Sequence, residues 1–179
     1  MHNSSTLLGR PDLVTEHLLL RRPNEGDLGT IVCIVGDWEV ARRLARVPHP
    51  YNLHDARFFL EQVVSSEWVW TITMQGSDEL IGVVGLTPEE GANTAELGYW
   101  LSRAHWGRGI MTEAARAIVS YGFDRLGLIY ITSGYFEDNS ASGRVLEKLG
   151  FLETGRAARP CLAAGCDVPS VEMSLLPLD

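Results

Sequence analysis

What the chain has little of narrows its functions before any motif is read. Basic residues are in the minority: 15 Lys and Arg against 23 Asp and Glu leave a formal net charge of −8. Binding a polyanion needs clustered cations, so nucleic acid is excluded as the main partner, and cationic amines are attracted instead. No apolar run approaches the roughly 20 residues that a bilayer span requires, so no membrane partner is expected. The opening Met1-His2-Asn3-Ser4-Ser5-Thr6 has neither the basic start nor the apolar stretch of a signal peptide. The expected location is therefore cytoplasmic. Cysteine is sparse and odd in number, at Cys33, Cys161 and Cys166. Cys161 and Cys166 are too far apart for a Cys-x-x-Cys clip and no His pair accompanies them, so reduced thiols and no metal site are expected. Repeats, low-complexity tracts and long linkers are missing too. The 179 residues, 45% of them hydrophobic, read as one domain over 1–179.

Hydrophobic spacing supplies the elements. Val14 to Arg22 reads as a first strand, and Asn24-Glu25-Gly26-Asp27 as the cap of a helix with Leu28, Ile31, Val32 and Val35 on one face. Trp38 to Leu44 suggests a short helix. Asn52 to Ser66 suggests a longer one, presenting Ala56, Phe59, Leu60, Val63 and Val64. The period then drops to two over Trp68 to Met74, Leu80 to Leu86 and Ala95 to Leu101, an antiparallel meander joined by a turn at Gly76 and a loop at Thr87 to Thr94. A helix from about Met111 to Leu126 and a strand from Leu128 to Phe136 follow. Glu137-Asp138-Asn139 reads as the cap of a helix that Gly150 stops. Phe151 to Ala158 and Pro169 to Leu176 are the last strands. This order specifies an α/β (α+β) layer around a mixed sheet.

Chemistry concentrates in Ala95 to Leu126. Gly107 and Gly109 stand just before a helix start, where small residues let backbone approach a ligand and first-turn amides lack internal partners. Those amides and the helix dipole suit a pyrophosphate, and Arg108 adds charge. A plain tight turn explains the same two glycines. A Walker A loop is excluded by the lack of Gly-Lys-Ser/Thr, and a dinucleotide fingerprint by the lack of a third glycine.

The string Ala95-Glu96-Leu97-Gly98-Tyr99-Trp100-Leu101, followed by Trp106-Gly107-Arg108-Gly109-Ile110-Met111-Thr112-Glu113-Ala114, resembles the acetyl-CoA motif of GNAT N-acetyltransferases. The variant is similar to the RimJ/RimL branch, which acetylates ribosomal-protein N-termini. Asn139 to Phe151 and Thr15 to Arg21 resemble that branch's later helix and opening strand. Trp106 stands where the consensus has Gln or Arg, and Met111 where it has Gly or Ala. The resemblance implies a mostly antiparallel, GNAT-like sheet of about six to seven strands, flanked by helices and splayed between the fourth and fifth. It implies acetyl-CoA as co-substrate, with Trp106, Gly107, Arg108, Gly109, Ile110, Met111 and Thr112 around the pyrophosphate. Leu97, Gly98 and Tyr99 would pair with the pantetheine arm, and Asn139 and Ser142 would also touch coenzyme A. A homodimer is compatible with it.

Acyl transfer needs a neutral amine, and alkyl ammonium groups titrate near about 10, so a base must act beside the thioester. Glu96 is the candidate, against a reading in which it faces solvent or pairs with an arginine. The Tyr that many relatives use as acid falls on Leu146 here. Ser142 is the alternative donor, although it could equally bond its own helix. His105 reads as a surface histidine in a turn, and Trp38, Trp68, Trp70 and Phe58-Phe59 as core. Arg42 to Tyr51 and Arg156 to Pro169 are expected to line the acceptor pocket. The acceptor is a protein N-terminus, or alternatively a small amine such as an antibiotic, polyamine or amino acid. A non-catalytic coenzyme A-binding regulatory module is the reading of another class.

Overall fold

The alternating segments pair as the period of two requires. The computed structural model describes residues 10–90 and 93–177; the expectation for Met1 to Thr6 and part of the Thr87 to Thr94 loop lie outside them. Eight strands form one sheet: β1 (Leu13–Val14), β2 (Leu18–Arg21), β3 (Trp68–Met74), β4 (Gly82–Pro88), β5 (Thr94–Leu101), β6 (Tyr130–Phe136), β7 (Leu152–Cys161) and β8 (Cys166–Leu175). Their order is β1-β2-β3-β4-β5-β6-β8-β7, antiparallel throughout except for β5 against β6.

The eighth strand comes from the segment expected to be one strand. Thr15 N–H donates to the Leu18 carbonyl at 3.0 Å, and Leu18 N–H donates to Thr15 Oγ1 at 3.1 Å. That side-chain-supported turn folds β1 back on β2. The C-terminal strands also run further than expected, up to Cys161 and from Cys166. Most of Arg156 to Pro169 is therefore an antiparallel hairpin rather than loop.

Helices cover both faces. On one lie α1 (Leu28–Val35), α2 (Trp38–Ala41) and α3 (Leu53–Phe58), which continues through a π turn at Phe59–Val63. Asn24 and Asn52 each form a capping box, with Asp27 and Asp55. Ile31, Val35, Ala56 and Val64 pack on Val69 and Val83 to make one core. On the other face, α4 (Ile110–Asp124) and α5 (Ser140–Leu149) bury Ala114, Ala115, Ile118 and Leu146 against Leu20, Trp70, Leu86, Leu97 and Ile131. The small side chains of α4 let it lie close on the sheet. Each large apolar side chain buried here contributes about 1.5–3 kcal/mol. Trp68 and Trp70 are core as expected, but Trp38 is 43% and Phe58 57% exposed.

The parallel pair β5–β6 holds for only three residues, Thr94 to Glu96 opposite Tyr130 to Thr132. Beyond Glu96 the strands part while β5 stays paired with β4 through Leu101. This is the expected splay, displaced by one in strand number because the first strand is two.

Candidate active site

The parted strands open a cavity of about 1110 Å³. Its walls include every residue expected from the sequence to act in catalysis or to bind coenzyme A: Glu96, Leu97, Gly98, Tyr99, Trp106 to Thr112, Asn139 and Ser142. The local folding explains why they converge. On β5, Ala95, Leu97 and Leu101 turn into the α4 core, whereas Glu96 and Trp100 face the other side. The chain then turns through Arg103–His105 into α4.

At that turn Gly107 and Gly109 have φ of 73° and 78°. Gly109 is the residue before the helix, in the left-handed region, and no side chain caps it. The first intrahelical bond runs from Glu113 N–H to the Gly109 carbonyl at 3.0 Å. The amides of Ile110, Met111 and Thr112 therefore precede the helical ladder and point out of its end. A Cβ at Gly109 would meet no atom within 4 Å, so the glycine is required by backbone conformation rather than by crowding. Although the protein is acidic, Arg108, Arg144 and Lys148 share this end of the cavity. Open amides, a helix dipole and three cations fit a diphosphate. His105 corrects an expectation here. It is half-buried, lines the cavity, and its buried Nδ1 has no hydrogen-bond partner among the described residues.

Trp106 donates its Nε1–H to the Leu101 carbonyl at 2.8 Å, and the Arg43 guanidinium lies 5.0 Å over its ring. An aromatic side chain thus stabilises the turn where the consensus has a polar one. Behind the turn, Glu113 is held by Thr15 Oγ1 at 2.5 Å, His17 N–H at 2.8 Å and the His17 ring at 3.0 Å. Burial would raise the Glu113 pKa, but these hydrogen bonds bring it below the ordinary value. The ring hydrogen bond to Glu113, with its charge, raises that of His17.

Across the cleft, the Tyr99 hydroxyl is 2.9 Å from Ser142 Oγ and donates to the Ser142 carbonyl at 3.2 Å. Burial pushes the Tyr99 phenol up to about 12, against the pull of Ser142. Sequence reading placed both residues at the site without seeing that they touch. Asn139 precedes α5, but its side chain makes no cap hydrogen bond, contrary to the capping role expected of it. Glu137 and Asp138 do not serve the helix end either. They bind Arg156 at 2.9 Å and Arg42 at 2.5 Å. Leu146 is fully buried in the core, so that position does not face the cleft at all.

Glu96 is ion-paired with Arg159, which also binds Glu172. The arginine reading thus describes its environment, while its side chain remains 39% exposed on the cavity wall. Two residues, Ser133 and Glu67, were missed. Ser133 Oγ–H donates to the Leu97 carbonyl at 2.8 Å, at the point where the strands part. Glu67, 9% exposed, receives Arg46 Nη1–H at 2.7 Å and the Thr87 hydroxyl at 2.7 Å. Neither Ser133 nor the Arg46–Glu67 pair has a local signal, since their partners are 20 residues or more away.

Comparison with known proteins agrees with this geometry. The family description "Acetyltransferase (GNAT) domain" matches residues 17–152. The uncharacterized N-acetyltransferase YoaA of Bacillus subtilis is 32% identical over 158 residues, covering 81% of this chain and 85% of that protein. The ribosomal-protein-serine acetyltransferase of Escherichia coli is 37% identical over 79 residues, 44% of each chain. The fold is shared with the ribosomal-protein-S5-alanine acetyltransferase of Vibrio fischeri at a TM-score of 0.80 and 21% identity, covering 95% of this chain and 98% of that one. The matched stretch runs from the turn before β2 to the start of β7 and contains β5, the glycine turn, α4 and α5, and the chain belongs to the GNAT family of N-acetyltransferases.

Proposed function

We propose that the protein transfers an acetyl group from acetyl-CoA to a primary amine, with a protein N-terminal amino group as the acceptor. The observation that carries the donor side is the uncapped start of α4 behind Gly109, where open amides and Arg108, Arg144 and Lys148 share one end of the cavity. The N-terminal acceptor rests on the partial likeness to an enzyme named for a ribosomal protein.

The amine nitrogen bonds to the acetyl carbon as the carbon–sulfur bond breaks, within one ternary complex. Orientation by the cleft supplies much of the rate. Glu96, steadied by Arg159, accepts the proton that leaves the nitrogen. Ser142, held by the Tyr99 hydroxyl, donates a hydrogen bond to the departing thiolate, whose parent thiol titrates near about 8.5 and so leaves without taking the serine's proton. Backbone N–H groups of β5 beyond Glu96, on the side where β6 has parted, stand where the carbonyl oxygen develops charge.

Replacing Gly109 with Val tests the donor side. A β-branched residue at φ 78° costs about 1–3 kcal/mol of backbone strain, which displaces the turn from its left-handed conformation. Acetyl-CoA should no longer raise the thermal midpoint of the variant; undiminished protection would refute the assignment. Replacing Glu96 with Gln should lower kcat by about 10²-fold while leaving the KM for acetyl-CoA unchanged. An unaltered rate removes Glu96 as the base.

A further inference from the structure

The half of the cavity away from the glycine turn has a chemistry of its own. Val40, Leu44, Val47, Tyr51, Phe59 and Val63 form one wall, drawn from α2, the 42–51 segment and the π turn. Burial pushes the Tyr51 phenol up to about 12, as a poorly hydrated wall would. Each of the charged groups beside this wall already has a partner. Arg43 binds Glu39 at 2.8 Å and lies over Trp106, and Arg46 binds Glu67. Asp55 accepts from Asn52 N–H at 2.8 Å within its own capping box. Glu96 and Glu172 share the single Arg159.

Two consequences follow. Each of the three arginines lining this half already has a carboxylate, so a carboxylate or phosphate on the acceptor would find no cation waiting. The two acids on Arg159 leave a negative surplus beside the acyl end of the cleft, which attracts an ammonium group as it arrives. Along the wall itself, an anionic side chain would lose its hydration and gain no partner, and a cationic one would meet only Asp55, already bonded within its capping box.

Resting on the acetyltransferase reading above, we propose that the acceptor is a primary amine on an uncharged apolar body, with no carboxylate next to the nitrogen. A peptide whose first residue is hydrophobic and a free hydrophobic amine present this same chemistry. The nitrogen lies toward Glu96 and the apolar group lies on the wall of Val47, Tyr51 and Phe59.

The test is thiol release from acetyl-CoA by the full chain with a panel of acceptors. It comprises leucine amide, phenylalanine amide, lysine amide, aspartate amide and free leucine, with short peptides beginning in Leu or Asp. Leucine and phenylalanine amides should exceed aspartate and lysine amides in kcat/KM by at least about 10-fold, and leucine amide should exceed free leucine similarly. The Leu-initiated peptide against leucine amide then decides which source fits better, and preference for either supports the proposal. Equal or reversed preference between apolar and charged acceptors overturns it while the acetyltransferase reading stands. Thiol release with none of the amines overturns both.

Two variants locate the preference. Val47→Asp should lose activity on leucine amide and gain it on lysine amide, with the KM for acetyl-CoA unaltered. Phe58 lines the same cavity and is 57% exposed, so Phe58→Ala should fold even where Val47→Asp does not. It should raise the KM for leucine amide several-fold. Folded variants that treat leucine amide as the parent does would overturn the assignment of this wall.

Discussion

At the scale of single residues, the start of α4 depends on a group outside the cleft. Glu113 ties the first turn of the helix to the β1–β2 turn through Thr15 and His17. The pair has a definite pH dependence. His17 titrates above its ordinary 6.5, chiefly through the hydrogen bond to Glu113, so its contribution is complete below 6.5 and fades as pH rises through the raised value. Glu113 titrates below its ordinary 4.5, so its contribution is complete above 4.5 and fades as pH falls through the lowered value. The full stabilisation therefore occupies the window from 4.5 to 6.5. Thermal melts of the parent and of His17→Ala should differ most within that window and converge at alkaline pH. The His17 and Thr15 contacts that do not use the ring remain in the variant, so the difference should be small. A gap that widens above pH 8 would contradict the assignment of the pair.

At the scale of elements, the strands and long helices were legible because their period is local. Trp68 to Met74 could be bounded to the residue, since alternation starts and stops there with turn residues on each side. The glycine turn was legible because a left-handed residue before a helix calls for glycine. Where the reading departed from the structure, the deciding bond was a side-chain bond to backbone or a contact distant in sequence. Thr15 closes the turn that splits the first strand, and nothing in Leu18-Leu19-Leu20 signals it. Asn139 has the residue type of a cap without making the cap. Its neighbour Asp138 is 96 residues from the Arg42 it binds. Gly143 looks like a mild helix weakener in sequence. In the structure a Cβ there would come within 2.7 Å of the Tyr135 ring, so the glycine is what lets α5 sit down on β6. The candidate site was legible in its donor half for the same reason: a turn and a strand are contiguous segments. Its acceptor half is assembled from pairs such as Arg46–Glu67 and Glu96–Arg159, whose members come from different elements.

At the scale of the whole molecule, residues 42–47 join the two halves of the cleft. Arg42 reaches Asp138 at 2.5 Å, beside the start of α5, and Leu162 N–H at the tip of the β7–β8 hairpin donates to the Ala45 carbonyl at 3.1 Å. On the other side Arg43 lies over Trp106 of the glycine turn, and Asp37 binds Arg103 at 3.2 Å. The segment is thus a strap over the acceptor half, fastened at both ends by polar contacts at the surface. Such contacts contribute little to global stability, about 0–1 kcal/mol each, but they set where the strap lies. Replacing Arg42 with Ala should therefore lower the thermal midpoint by no more than about 4 °C in a chain of this size. The same loss, about 1 kcal/mol, corresponds to roughly a five-fold change in the equilibrium constant between the ordered and the loosened strap. The KM for the amine should rise by up to about that factor, because the wall formed by Leu44 and Val47 is carried on the strap. The KM for acetyl-CoA should not move, because the end of the cavity proposed to hold the diphosphate is built from α4 and α5. Steady-state kinetics with each substrate varied in turn separates the cases: a change confined to acetyl-CoA would place the strap with the donor, and no change in either would leave it without a part in binding.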